Sequence, residues 1–320
     1  RAEVARSAWD DGALFALAGW IPRSELPSLN AIADAHDLAV TRREPRPEDQ
    51  PPTLLSNRGL ARAGQSLLTF YTTPNYFEWD PSFAVFASFT AFFAMIMSDA
   101  GYALLLAAAL AVFWRPSGRA VGRSMRAMFV VMLAAALVWG VLVGSYFGLP
   151  PPTEALTALH VLSIGDYDQM MRISILVGAG HVVLANIIRA VRVPGSGALG
   201  AAGWCIAVGT GLALWLSQPN PQAARAVSSA APWLFGGAGV LIVFFSSTET
   251  SLRRRLLDGA RALTNITSAF GDVLSYLRLF ALGLASTSLG LAFNGLAKSS
   301  AEAGGAGLLL AGIVLIVGHA

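Results

Sequence analysis

The chain has 320 residues, 55% of them hydrophobic and only 13% charged, with a mean hydropathy of +0.58 and a formal net charge of +3. Charged residues make up about a quarter of an ordinary soluble domain, so this composition excludes a single soluble globular domain and points to a polytopic membrane protein. The one cysteine, Cys205, excludes an intrachain disulfide and a thiolate metal cluster, and the aromatics lie away from the basic patches, which leaves no case for nucleic acid.

Charge is distributed unevenly. Residues 1–80 carry eleven acids against eight Arg, a net of −3, whereas residues 81–320 carry eight acids against thirteen Arg and one Lys, a net of +6. An acidic head therefore precedes a basic membrane part. In the head, "LFALAGWIPR" (14–23) reads as a buried strand and turn, residues 24–36 as a helix opened by Ser24, and "LAVTRRE" (38–44) as a second strand. These are expected to form part of a cytoplasmic α+β lobe, with residues 1–56 ending in the proline-rich linker "EPRPEDQPPT" (44–53). The chain opens at Arg1 without a leader and its last apolar run stops at Ala320, so it reads as a fragment open at both ends. Residues 57–80 form a juxtamembrane segment in which "LARAGQSLLTFY" (60–71) has the helical spacing of a segment lying on the membrane surface.

Residues 81–320 read as a helical membrane domain. Spans are expected at 81–97 and 100–114, with Gly101 in the turn between them, then at 127–147, 172–190, 199–217, 230–247 and 264–297, with an incomplete eighth over 303–320. Alternate loops hold Arg115, Arg119, Arg123 and Arg126, then Arg189 and Arg192, then Arg253, Arg254, Arg255 and Arg261; the intervening loops hold only Arg172, Arg225 and Lys298. This ten-to-three bias places the head and the Arg-rich loops in the cytoplasm.

The seventh span carries an intramembrane arginine, Arg278, in "GDVLSYLRLFALGLAS" (271–286). Its 34 residues would reach about 51 Å as one helix, against ~30 Å of hydrocarbon. Gly271, Ser275, Arg278, Leu282, Ala285, Leu289 and Ala292 recur at helical spacing, which puts Arg278 on a stripe with several small residues. Ser268, Asp272, Ser275 and Ser286 flank it and can line a wet path, while Tyr276, Thr287 and Asn294 point elsewhere. A charge at that depth costs ~2.5–3.5 kcal/mol on insertion scales and is by default functional. The bland reading is an internal ion pair with Asp272, Glu249 or Asp99. His181 and Asp99 are further candidates for a polar relay; the alternatives are interhelical hydrogen bonding for His181 with Asn186, and turn capping for Asp99. No phosphate-cradling loop, nucleophile–base set or metal-ligand spacing occurs, so no catalytic residue, metal or cofactor is assigned.

The stretch around Arg278 resembles the signature of the membrane subunit of vacuolar/archaeal-type rotary ATPases, called subunit a in vacuolar enzymes and subunit I in prokaryotic ones. "PPTLLSN", "TPNYFEWDPS" and "FFAMIMSDAGYALLL" resemble, in order, the entry into that family's membrane domain, and "IVGHA" (316–320) the start of its last helix. The resemblance implies a mainly α, eight-span fold. It also implies a stator role against a ring of proteolipids, each with a membrane carboxylate, and Arg278 as the essential arginine between two half-channels for H⁺ or Na⁺. Central-stalk-cap and peripheral-stalk subunits are implied partners, with ATP handled on other subunits and the prokaryotic cell membrane as location. Ser286 and Asp272 stand where eukaryotic relatives tend to have histidines, and a second arginine would lie beyond Ala320. Two other readings are a secondary ion-coupled transporter, which predicts an internal repeat that the halves do not show convincingly, and a structural anchor in which Arg278 is dispensable.

Overall fold

The computed structural model describes residues 8–10, 12, 14–115, 122–163, 165–192, 195, 197–247, 249 and 251–319. Arg119 of the first basic loop and Ala320 lie outside the described residues. The described chain is mainly α-helical and falls into two compact units, residues 1–90 with 113–131, and residues 91–112 with 132–320.

In the first unit, strands β1 (Ala8–Asp10) and β2 (Phe15–Leu17) pair antiparallel, Trp9 opposite Ala16. Helix α1 (Leu26–Ala35) agrees with the helix expected over 24–36. The second strand expected over 38–44 does not form: Leu38 and Val40 stay exposed, and no neighbouring strand among the described residues offers a ladder. The proline-rich linker is instead held by ion pairing. The Arg43 guanidinium donates to both carboxylate oxygens of Asp49 at 2.6 and 2.8 Å, and these bonds, with the Arg46 amide, bring the Asp49 pKa down to about 2.

Helix α2 (Gly59–Tyr71) turns Ala63, Gly64 and Leu68 inward onto the start of helix α3 (Ser82–Met97). A Cβ on Gly64 would sit 1.8 Å from the Ser82 carbonyl oxygen, so only glycine permits this approach. The motif residues before α3 are knitted together: Asn57 donates to Asp80 and Ser82, Gln65 bonds Leu55 and Asn57, and Ser82 donates to Asp80 through both N–H and hydroxyl. Burial opposes ionisation of Asp80, but donation from Ser82 and Asn57 outweighs it and holds the carboxyl below its usual range.

The second unit is built from α4 (Ala100–Val112), the latter part of α5 (Gly122–Val143), the short α6 (Glu154–Leu159), and the long helices α7 (Tyr167–Arg192), α8 (Gly197–Ser217) and α9 (Pro221–Phe245). Helices α10 (Leu252–Thr264), α11 (Ile266–Ser275), α12 (Leu277–Glu302) and α13 (Ala306–His319) complete it. Among the described residues, five segments are long and apolar enough to cross a membrane: α5, α7, α8, α9 and the run 252–302. Helices α3, α4 and α13 are apolar but only 16, 13 and 14 residues long. That is short of the ~20 residues a span ordinarily needs, so they do not meet the same criterion.

Alanines are prominent among the buried residues, and many large apolar residues face outward. Ala94, Ala103 and Ala136 form a fully buried cluster, whereas Leu104, Leu184, Trp233 and Leu309 are exposed. This sorting suits helices in lipid, where close backbone approach rather than exclusion of water drives packing. A Cβ on Gly259 would sit 2.0 Å from the Val243 carbonyl oxygen, and one on Gly203 2.9 Å from that of Ala238. The turn between α3 and α4 falls at Ser98, whose φ is +45°, and Asp99; Gly101 is already helical and leaves room for the Phe147 ring. The charged connector after α9, expected as a loop, is helix α10, and the seventh span continues from it through tight turns at Asn265 and Tyr276. Both keep right-handed helical dihedrals, so the axis runs on through 51 residues.

Gly140→Val should therefore destabilise the protein by at least about 1–3 kcal/mol, because a Cβ there would lie 2.2 Å from the Ala100 nitrogen. Gly209→Ala, on an open helix face, should be neutral or gain up to ~1 kcal/mol. Thermal denaturation of the two purified variants beside the parent checks this ordering, and equal melting temperatures would refute it.

Candidate functional site

The two faces of α11 and α12 differ sharply. Gly271, Ser275, Arg278, Leu282, Ala285, Leu289 and Ala292, the stripe expected from sequence, are all exposed in the described chain. The opposite face, with Gly283, Thr287, Gly290 and Ala297, is buried. Gly283 approaches the Met95 carbonyl and the Ser98 side chain; Gly290 approaches Gly148. The helix therefore presents a band of small residues and one guanidinium outward.

Arg278 forms none of the ion pairs among the described residues; these join Arg23–Glu44, Arg43–Asp49, Arg172–Asp168 and Arg261–Asp258. The internal partners considered for Arg278 are otherwise placed. Glu249 and Asp272 are exposed and pair with no cation among the described residues, and Asp99 is buried among neutral donors. Asp272, Ser268 and Ser275 share the exposed side of α11, while Ser286 is half-buried on α12. The Ser275 hydroxyl donates back to the Asp272 carbonyl at 2.6 Å, leaving the Asp272 carboxylate open on the surface.

The two relay candidates sit on the inner side. His181 on α7 shares a hydrogen bond with the Tyr276 hydroxyl (Nδ1 to Oη, 2.5 Å), and the Phe92 ring lies 5.5 Å from His181 and 5.4 Å from Tyr276, centroid to centroid. Asn186, linked with His181 at the sequence level, donates to the Val182 carbonyl of its own helix. Asp99 is 1% exposed and accepts four hydrogen bonds: from the amides of Tyr102 (3.0 Å), Phe147 (2.9 Å) and Gly148 (2.9 Å), and from the Ser145 hydroxyl (2.6 Å).

Three further residues complete this node. Asn294 on α12 donates to the Phe147 carbonyl at 2.7 Å and meets His319 Nε2 at 3.1 Å, while His319 Nδ1 meets the Tyr102 hydroxyl at 2.5 Å. Sequence reasoning did not assign Tyr102, Asn294 or His319 to a site. The available signals were "SDAGY" and "GSYFG", two glycine-containing polar breaks in otherwise apolar stretches. Among the described residues no group of three or more His, Cys, Asp or Glu side chains could hold a metal ion.

The fold and this face define a polytopic helical membrane protein that exposes an unpaired arginine on one long helix. No protein-family model matches the chain. It is 26% identical to V-type ATP synthase subunit I of Chlamydia pneumoniae over 97% of its length and 55% of the relative's. It is 26% identical to the protein of the same name from Borreliella burgdorferi, over 95% of this chain and 53% of that one. To A-type ATP synthase subunit I of Methanocaldococcus jannaschii it is 23% identical over 94% of this chain and 48% of that one. These likenesses over most of the chain support its place in the V-type/A-type ATP synthase subunit I family. The chain spans about half the length of the curated relatives it matches.

Asp99→Ala, which strips four donors of their acceptor, should cost at least ~3 kcal/mol, and Asp99→Asn, which keeps one acceptor oxygen, distinctly less. Melting of the purified variants in detergent measures both; two variants as stable as the parent would show that the node does not hold the fold.

Proposed function

We propose that the chain is the membrane part of the stator subunit of a V/A-type rotary ATPase or ATP synthase, carrying H⁺ or Na⁺ through half-channels formed against a proteolipid ring. ATP is bound and turned over on other subunits, which this one joins through central-stalk-cap and peripheral-stalk contacts. Residues 1–56 are then the end of a cytoplasmic α+β head, residues 57–80 an interfacial segment, and residues 81–320 an eight-span domain in the prokaryotic cell membrane. The observation that carries this reading is the outward stripe: an exposed, unpaired Arg278 among small residues on the longest apolar helical run. Similarity to proteins named ATP synthase subunit I supports it from a separate direction.

The chemistry asks Arg278 for a charge that is never given up and for the planar fork of a guanidinium. A guanidinium keeps its proton at any physiological pH, so it opposes reprotonation of a nearby carboxylate without passing protons itself. At ~4 Å and an effective dielectric near 20, a unit charge pair is worth about 4 kcal/mol, or roughly three pKa units. That is enough to ionise a ring carboxylate that lipid burial holds protonated. The exposed Asp272, with Ser268, Ser275 and Ser286, then lines the aqueous path on the cytoplasmic side.

The arginine bias sets the orientation. In a Cys205→Ser background, a cysteine at Gly195 should react with impermeant maleimide only from the cytoplasmic side, and one at Asp166 only from the opposite side. Same-sided labelling would refute the eight-span arrangement.

Arg278→Ala in the full-length subunit should abolish ion pumping while the ring still co-purifies. Arg278→Lys should fail or nearly fail, since a buried ammonium can lose its proton and lacks the planar fork. An assembled Arg278→Ala complex pumping at the parental rate would overturn the mechanism.

A further inference from the structure

Two residues before Arg278 the helical ladder changes register. The Tyr276 amide donates to the Val273 carbonyl at 3.2 Å and the Leu279 amide to the Tyr276 carbonyl at 2.9 Å, both three residues back instead of four. At about 100–120° per residue, Tyr276 and Arg278 stand roughly 200–240° apart around the axis. Whatever holds Tyr276 inward therefore holds Arg278 outward.

Three contacts hold it. His181 on α7 hydrogen-bonds the Tyr276 hydroxyl at 2.5 Å. Phe92 packs edge-on against the Tyr276 ring at 72° and lies 5.5 Å from His181. On the third side α7 carries Gly178, where a Cβ would lie 2.8 Å from both the Tyr276 ring and the Val273 carbonyl oxygen. The small-residue position lets α7 approach, and His181, three residues on along the same helix, supplies the polar end. A slip of one residue in α12 would swing Arg278 by about 100°, off the outward stripe.

We infer that the His181–Tyr276 pair, seated against Phe92 and Gly178, is a positioning clamp that fixes the rotational phase of the arginine-bearing helix and aims Arg278 at its partner. Neither residue touches the transported ion in this role; both act through Arg278. The inference rests on the reading of Arg278 as the residue that faces the ring carboxylate. It goes beyond that reading by assigning the aim of the guanidinium to a contact on the far side of the helix.

The test is a double-mutant cycle in the assembled full-length complex, in a Cys205→Ser background, with Tyr276→Phe, His181→Phe and the double variant. Two readouts are taken: pumping per ATP hydrolysed, and disulfide cross-linking of Leu282→Cys against Ala281→Cys to one cysteine on the carboxylate-bearing helix of the ring. Leu282 shares the Arg278 stripe, and Ala281 lies about 100° from Leu282, beyond the opposite edge of the stripe. In the parent, position 282 should cross-link in preference to 281. Each single variant should lower that preference and the pumping ratio about three- to ten-fold, and the double variant should be no worse than the worse single. An unchanged 282-to-281 preference, or losses that multiply in the double variant, would overturn the clamp. Should Tyr276→Phe fail to assemble, His181→Asn carries the same measurement. Cross-linking needs no transport, so its outcome is separate from that of Arg278→Ala; absence of any ring cross-link in the parent would instead count against the stator reading.

Discussion

The buried carboxylate of Asp99 is the contact on which the inner half of the arginine-bearing helix depends. Desolvating a carboxylate costs several kcal/mol, but a hydrogen bond to a charged acceptor returns about 1.5–3 kcal/mol, and Asp99 accepts four. Those bonds close the turn between α3 and α4 onto the segment 145–148. Phe147, with φ +55°, and Gly148, with φ +74°, there take left-handed conformations that most side chains disfavour. The shaped segment in turn receives α12: Gly290 lies beside Gly148, and Asn294 donates to the Phe147 carbonyl. One carboxylate thus sets a loop, and the loop seats a helix whose other face carries Arg278.

A second attachment acts closer to the guanidinium. Asn294 fixes a later turn of α12 inward, and Tyr276 fixes its entry, so the helix is held near both ends of its apolar stretch by hydrogen bonds on its inner side. Hydrogen bonds across helices in membranes are individually modest, about 0.6 kcal/mol on average. Their effect here is angular: each contact selects one rotation of the helix, and several selecting the same rotation leave little freedom in where the arginine points.

Much of this was legible in the sequence, and what was not has physical reasons. Apolar runs of about 20 residues located α5, α7, α8 and α9, because hydropathy reports the solvent directly. The outward stripe was legible from the 3.6-residue period through Gly271, Ser275, Arg278, Leu282 and Ala285. Tyr276 and Asn294 could be read as pointing away from the stripe, but not their partners, since His181 lies 95 residues from Tyr276 and Phe147 lies 147 from Asn294. Residue type alone misleads at two places. A glycine at 101 suggests a turn, but its missing side chain makes room for a ring; the run of arginines suggests a loop, but Leu252, Leu256, Gly259 and Leu263 give it one helical face. The strand expected over 38–44 failed because β-propensity needs a neighbour to pair with.

The size of the outward residues carries the last step. On a helix surrounded by lipid the outer face is ordinarily filled by large apolar side chains, as α13 shows with Leu308, Leu309, Ile316 and Val317 exposed. The stripe around Arg278 is different: Gly271, Ser275, Ala285 and Ala292 share it with Leu282 and Leu289. Small residues facing outward gain nothing from lipid, but they let a second helix come close. A guanidinium set among them would cost ~2.5–3.5 kcal/mol or more against hydrocarbon, and the described residues offer it no carboxylate. Both features fit the facing helix proposed above, narrow enough in its own side chains to approach and carrying the negative charge that the described residues do not offer Arg278.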